Sequence, residues 1–284
     1  MMKLGVFLVK LIGKSPFWLL YFLSDFSYFF VYKLFGYRTK VVRTNLKLSF
    51  PNASDLDLKA YERAFYKHFF DVIVETLKCE SITEKELRTR MVCENLETIE
   101  ALLAQNQSAI IITGHYNNWE WAGRRFILDT QGKACIAYKR ISNPEIEDYT
   151  LQSRLRFGGS VVVMEQFLRH VIKHRKQGIY PVLIADQTPH KDKIEFTTPF
   201  LNQETAVYLG GEKLTKSLKF PAYFMSVKKL KRGHYSYRLD LLDETSGDDF
   251  ELTKLHTQKL EEQIQQEPAY WLWSHRRWKY TRKS

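Results

Sequence analysis

The sequence predicts an α/β fold, a mostly parallel central sheet flanked by helices, behind an N-terminal hydrophobic segment that associates with membranes. Three observations carry this. From about residue 91 onward, short β-branched runs alternate with helical stretches, the pattern of a largely parallel sheet. The run Ile110-Ile111-Ile112-Thr113 is apolar throughout and ends in Gly114-His115, so polar residues stand at the carboxyl end of a buried strand, where α/β enzymes place their chemistry. Ten of the twenty residues at 16–35 are aromatic. At 284 residues the chain fits one large domain with an appendage. The division expected is an anchoring segment and basic linker at 1–50 and the main domain at 51–284.

Residues 16–35 are nearly long enough to span a bilayer, but Asp25 and Lys33 interrupt them. There is no small-residue cleavage site, so the segment is not read as a removable leader. Aromatic rings suit the headgroup level of a membrane. Lys33, Arg38, Lys40, Arg43 and Lys47 follow, and such a basic cluster keeps the downstream chain on the cytoplasmic side and attracts anionic lipid. The competing reading is an aromatic helix hairpin packed on the domain.

After the break at Pro51, Ser54 with Asp57 forms a helix start. Tyr61, Phe65, Phe69, Val72, Ile73 and Leu77 then mark one helical face, with His68 at its border as a packing histidine. Another helix starts at Thr83. A short strand at 91–93 and a helix at 96–105 lead into the strand at 109–113. A helix to about 129 follows Glu120, then a strand at 134–138 ending in Lys139-Arg140. Asn143-Pro144 opens a helix to 156, which Gly158-Gly159 stops. A strand at 160–164, a basic helix at 165–177 and a strand at 179–185 follow, the last halting at Asp186-Gln187. Residues 204–218 read as a helix, 221–228 and 235–242 as paired strands around Arg232-Gly233, and 252–266 as a final helix before a tail rich in Trp and basic residues.

The formal net charge is +11, from 43 basic and 32 acidic residues, which favours anionic partners. The charge is spread over the chain and no nucleic-acid motif accompanies it, so nucleic acid is not an expected partner. Cys79, Cys93 and Cys135 are widely spaced and read as reduced thiols. His170 and His174 stand at i, i+4 with no third ligand nearby, and no metal site is expected.

The candidate chemistry sits at His115-Tyr-Asn-Asn-Trp-Glu120. On a straight helix, positions i and i+5 lie about 140° apart, so the pair converges only if His115 occupies the turn and Glu120 the helix after it. Gly114 and an Asn N-cap support that turn. An imidazole there can deprotonate an alcohol, with a carboxylate behind it to hold the tautomer. The bland alternative is a loop whose His and Glu are merely solvated. Lys139, Arg140, Arg154, Arg156 and Asp186 also fall at strand or helix ends on that side. The arginines suit phosphate, or else a solvated helix face.

In order and spacing these pieces resemble the bacterial lipid A late acyltransferases (the lauroyl/myristoyl group) of the wider lysophospholipid acyltransferase superfamily. The resemblance covers nearly the whole chain. It runs from Tyr37-Arg38, Asn45-Leu46 and Ser49-Phe50-Pro51 through Gly114-His115 to Glu120. It continues with Arg154-Leu-Arg-Phe-Gly158, Ala185-Asp186-Gln187 and Pro199-Phe200, and closes on Trp271-Leu-Trp-Ser-His-Arg-Arg-Trp278. It implies an inner-membrane enzyme, its catalytic domain on the cytoplasmic face, that moves a fatty acyl chain from an acyl thioester to a hydroxyl of a lipid A precursor. The donor would be acyl carrier protein or coenzyme A, with no cofactor. It implies His115 and Glu120 as the catalytic pair, functional weight for Asp186 and for one of Arg154 and Arg156, and a structural or catalytic part for His275, Arg276 and Arg277. Thr188-Pro189-His190 departs from the aspartate-glycine run of enterobacterial members, which leaves the acceptor and chain length open. The alternative functions are acylation of a lysophospholipid, aminolipid or other glycolipid on the same fold, and, more distantly, a non-catalytic basic membrane-binding protein.

Overall fold

The computed structural model describes residues 2–243 and 249–280. Its centre is a seven-stranded sheet in the order β1-β9-β8-β2-β5-β3-β4. The strands are β1 (Met91–Cys93), β2 (Ile110–Thr113), β3 (Ala134–Tyr138), β4 (Ser160–Val163), β5 (Tyr180–Ile184), β8 (Ala222–Lys231) and β9 (His234–Leu241). β2 is parallel to both β5 and β8, and β3 is parallel to β4 and β5. Only the β8–β9 hairpin is antiparallel, and β9 carries β1 alongside it. The fold is therefore α/β with a mostly parallel sheet, as the alternating pattern predicts.

β2 is central and buried at every position. Its alternation divides the core. Ile110 and Ile112 face one cluster with Phe224, Leu260 and Trp271, and Ile111 faces the other with Trp121, Phe126 and Val182. Helix α7 (Trp119–Asp129) covers the second face, and α11 (Glu251–Gln266) lies over the first. Both expected helix starts are capping boxes: Ser54 with Asp57 opens α4 (Asp55–Lys78), and Thr83 with Glu86 opens α5 (Glu84–Arg90). In each, two amides that lack helical partners are satisfied reciprocally.

One expectation fails. Residues 204–218 were expected to be one helix, but Gln203–Ala206 is strand β7, paired antiparallel with β6 (Thr197–Phe200), and helix α10 covers only Gly210–Leu218. The turn between these strands is Leu201-Asn202, with φ of 51° and 59°. Two consecutive positive φ values make the tight turn whose twist matches a hairpin.

The N-terminal segment folds onto the domain. Helices α1 (Met2–Gly13) and α2 (Phe17–Ser27), with a π-helical continuation at Tyr28–Leu34, precede α3 (Thr39–Ser49). On their inner side Leu20, Ser24 and Tyr32 are buried, and Ser24 donates to Asp71 of α4 at 2.7 Å. On the outer side Phe7, Leu11, Trp18, Phe22, Phe26 and Phe29 are exposed. No single described helix is long and apolar enough to cross a membrane. The bent pair Phe7–Gly13 and Phe17–Leu34, with 119° between its halves, passes that test together.

Candidate active site

The site is assembled where β2 and β5 end side by side. Their parallel register pairs Thr113 with Ile184, so the residues just beyond, Gly114-His115 and Ala185-Asp186, meet although 71 positions separate His115 from Asp186. His115 donates from Nδ1 to Asp186 Oδ1 at 2.6 Å and from its backbone N–H to Asp186 Oδ2 at 2.8 Å. Gly114 permits this closeness. A Cβ there would lie 2.8 and 2.9 Å from the Leu260 methyls and 3.3 Å from Asp186 Oδ2. The indole Nε1 of Trp271, in the C-terminal tail, gives Asp186 Oδ2 a further bond at 2.8 Å. Burial favours the neutral form of Asp186, but the charge and hydrogen bond of His115 and the Trp271 donor outweigh it and hold the carboxyl at about 2. For His115 burial acts downward, and Asp186 reverses it, so the imidazole is raised above its ordinary value. With Nδ1–H committed to Asp186, the Nε2 lone pair faces outward, where the Gln187 amide nitrogen lies 3.3 Å away.

Glu120, expected to orient His115, does not hydrogen-bond to it. Its carboxylate accepts from Arg124 Nη1 at 2.5 Å and lies 3.6 Å from Arg154 Nη2. The two guanidinium groups overcome the effect of burial and hold Glu120 at about 2. Asn118 caps α7, so Glu120 belongs to its first turn and points along the helix toward Arg124, one turn on. The Glu120 charge still raises His115, without a hydrogen bond between them.

The two arginines of the 154–156 segment separate cleanly. Arg154, on helix α8 (Pro144–Leu155), reaches Glu120, whereas Arg156 donates to the Cys79 carbonyl at 2.7 Å and stacks on Phe157. Lys139 and Arg140 follow β3 and are exposed, Arg140 standing 3.7 Å from Glu147.

The two asparagines of the motif hold the turn. Asn117, at φ 54°, takes the Tyr270 carbonyl on its backbone N–H and gives its amide to Val227 O. Asn118 accepts from Trp121 N and donates to Glu75 Oε2 at 2.8 Å. Glu75 of α4 is fully buried and also receives the hydroxyls of Tyr21 and Tyr235. Burial pushes its carboxyl up to about 7. Glu75 was not singled out from the sequence, and Trp271 entered only as part of the C-terminal motif. Glu75 reads as one more residue of an amphipathic helix, although a Trp-rich tail does supply indole donors that need acceptors.

Wider grooves of about 400 and 470 Å³ are lined by mixed charges or by the basic linker; the first reaches Tyr116 and Asn117, and neither includes His115. The chemistry of the side chains, rather than volume, locates the site. Beside Glu120 and Arg154 a narrower apolar slot of about 40 Å³ runs between α7 and the sheet, past Gly123, Ile127 and Ile136.

A histidine held by a buried carboxylate through Nδ1, with Nε2 left to accept, is equipped to activate a hydroxyl. The profile of the bacterial lipid A biosynthesis acyltransferase family matches residues 1–280. The chain belongs to that family. Among its relatives, the lipid A biosynthesis lauroyltransferase of Escherichia coli (strain K12) is 23% identical over 283 residues, 97% of this chain and 90% of the relative. The palmitoleoyltransferase of the same strain is 23% identical over 246 residues, 85% of this chain and 79% of its own. A lipid A biosynthesis acyltransferase of Shigella flexneri matches over the same length at the same identity. The protein is thus an acyltransferase of lipid A biosynthesis, as the resemblance in its motifs implies.

Proposed function

We propose that this lipid A acyltransferase uses His115 as general base and Asp186 as the group that orients it. The observation that carries this is the pair of bonds from His115 to one buried carboxylate, which leaves Nε2 as the acceptor. A hydroxyl of the lipid A precursor displaces the Gln187 amide from Nε2 and gives up its proton there. The alkoxide attacks the donor thioester, the carbon–sulfur bond breaks, and the imidazolium returns its proton to the departing thiolate. Asp186 stabilises the imidazolium between these steps. Glu120, clamped by Arg124 and Arg154, adds negative charge near the ring, and Arg154 and the exposed Lys139 and Arg140 offer cations for phosphate on acceptor or donor. The donor in this reading is acyl carrier protein, an acidic partner for a chain of net charge +11. The exposed aromatic face of α1 and α2 rests in an anionic inner membrane with the catalytic edge on its cytoplasmic side, so the acceptor is drawn from the bilayer.

The test is acylation of a lipid A precursor by acyl carrier protein thioesters, followed by mass spectrometry. Replacing His115 with Ala is expected to lower turnover by about 10²–10⁴-fold while the protein stays folded. Near-normal turnover would end the reading, and transfer to lysophospholipids with none to the precursor would redirect the acceptor.

A further inference from the structure

Beside Asp186 lies a small cavity of about 10 Å³ lined by Thr113, Asp186, His256, Thr257 and Arg277 among others, and His115 is not part of its lining. Arg277 is 2% exposed, yet no described group accepts from its Nε or Nη1. His256 of α11 is 5% exposed, and its Nε2 likewise has no described partner. Buried polar groups are nearly always satisfied, and a guanidinium taken out of water at a cost of several kcal/mol needs an acceptor. A space of roughly 10–15 Å³ with two to four polar neighbours is what one ordered water requires. Asp186 Oδ1 accepts one N–H, from His115, and has acceptor capacity left.

We propose that Arg277 is a positioning residue. Through one water in this cavity, shared with His256, its guanidinium holds the Asp186 carboxylate toward His115. This rests on the reading of His115 as the base. Burial draws Arg277 down to about 10 against the opposing attraction of Asp186, and draws His256 to about 4, so near neutral pH Arg277 is charged and His256 is not. Charge then alternates along the line His115, Asp186, Arg277. Asp186 raises the basicity of His115, and Arg277, by drawing on the Asp186 charge, limits that rise. The other groups facing His115 are Glu120 of α7, Arg154 of α8 and His275 of the tail. None of them lines the cavity.

The experiment is the pH profile of kcat/KM for the full-length enzyme with an acyl carrier protein thioester and lipid A precursor. Parent, Arg277→Met, Arg277→Gln and Arg277→Lys are compared, and thermal midpoints are recorded. Removing a cation makes His115 easier to protonate, so in the two neutral variants the acid limb is expected to move up by about one pH unit. Activity then falls about tenfold below the limb, and much of it returns at high pH. Arg277→Lys, which keeps the charge but not the planar fork, should leave the limb in place with a lower plateau. Should Arg277→Met fail to fold, Arg277→Gln carries the same expectation. A pH-independent loss, or an unmoved limb in any folded neutral variant, overturns the proposal. A parent profile with no acid limb, or an active His115→Ala enzyme, would instead overturn the base assignment on which it rests.

Discussion

Asp186→Asn tests the site most directly. Asp186 receives three donors, His115 Nδ1–H, His115 N–H and Trp271 Nε1–H. An asparagine of the same shape keeps one oxygen and turns an amide toward the ring. If its NH₂ faces Nδ1, the proton of the imidazole moves to Nε2 and no lone pair remains for the acceptor hydroxyl. The charge that stabilises the imidazolium is lost as well, an interaction of about 4 kcal/mol at 4 Å with an effective dielectric of 20. Turnover is therefore expected to drop by about 10²–10⁴-fold. His115 is raised by Asp186 in the parent. On the proposed reading the base works only when neutral, so parent activity is lost as pH falls through a value above that of an ordinary histidine. In Asp186→Asn that limb moves to lower pH although the plateau collapses. The assay is kcat/KM across pH with a lipid A precursor, with near-ultraviolet circular dichroism to confirm folding. A folded variant within about tenfold of the parent, or one whose limb does not fall, refutes the pairing of His115 with Asp186.

Glu120→Gln leaves Arg124 and Arg154 short of their acceptor, and breaking such a part-buried cluster is expected to cost about 3 kcal/mol and lower the thermal midpoint. The acid limb of activity should shift less than in Asp186→Asn, and an equal shift would reassign the orienting role. Glu75 has a folded value of about 7 against 4.5. Its folded form holds the proton more tightly, so its contribution to stability is present below pH 4.5 and lost as pH rises through 7. That amounts to about 3 kcal/mol at 1.36 kcal/mol per unit. Glu75→Gln should flatten the denaturation midpoint over this window, and an unchanged slope would exclude the assignment. Gly114→Ala drives a methyl into the Leu260 side chain and should reduce turnover; Leu260→Ala in the same chain should restore much of it, and failure of that rescue would count against the close approach described.

Much of this architecture was legible from local pattern. The β-branched run at 110–113 and the halt at Asp186-Gln187 marked two strand ends on one edge, and capping chemistry at Ser54 and Thr83 marked two helix starts. The identity of His115's partner was not, because neighbours in the sheet are set by strand order. β5 lies beside β2 although β3 and β4 come between them in the chain, and this brings Asp186 in from 71 residues away. Glu120 was the nearer carboxylate in sequence, but its helix aims it at Arg124. The β6–β7 hairpin was hidden by its turn, since neither Leu201 nor Asn202 is a glycine. The buried Glu75 was hidden because nothing in a single sequence tells a core carboxylate from a surface one on the same helix.

The two ends of the chain close on each other. Asn45 gives its amide to the Trp273 and His275 carbonyls, and Arg38 binds the carbonyl of Ser274. The tail held this way delivers Trp271 to Asp186, while Tyr21 of the aromatic helices shares Glu75 with Asn118 of the catalytic turn. The first fifty residues thus help to hold in place the tail that carries Trp271 and the turn that carries His115. Exchanging them for an unrelated segment would remove these contacts, so on the proposed reading membrane attachment and catalysis in this protein cannot be inherited separately.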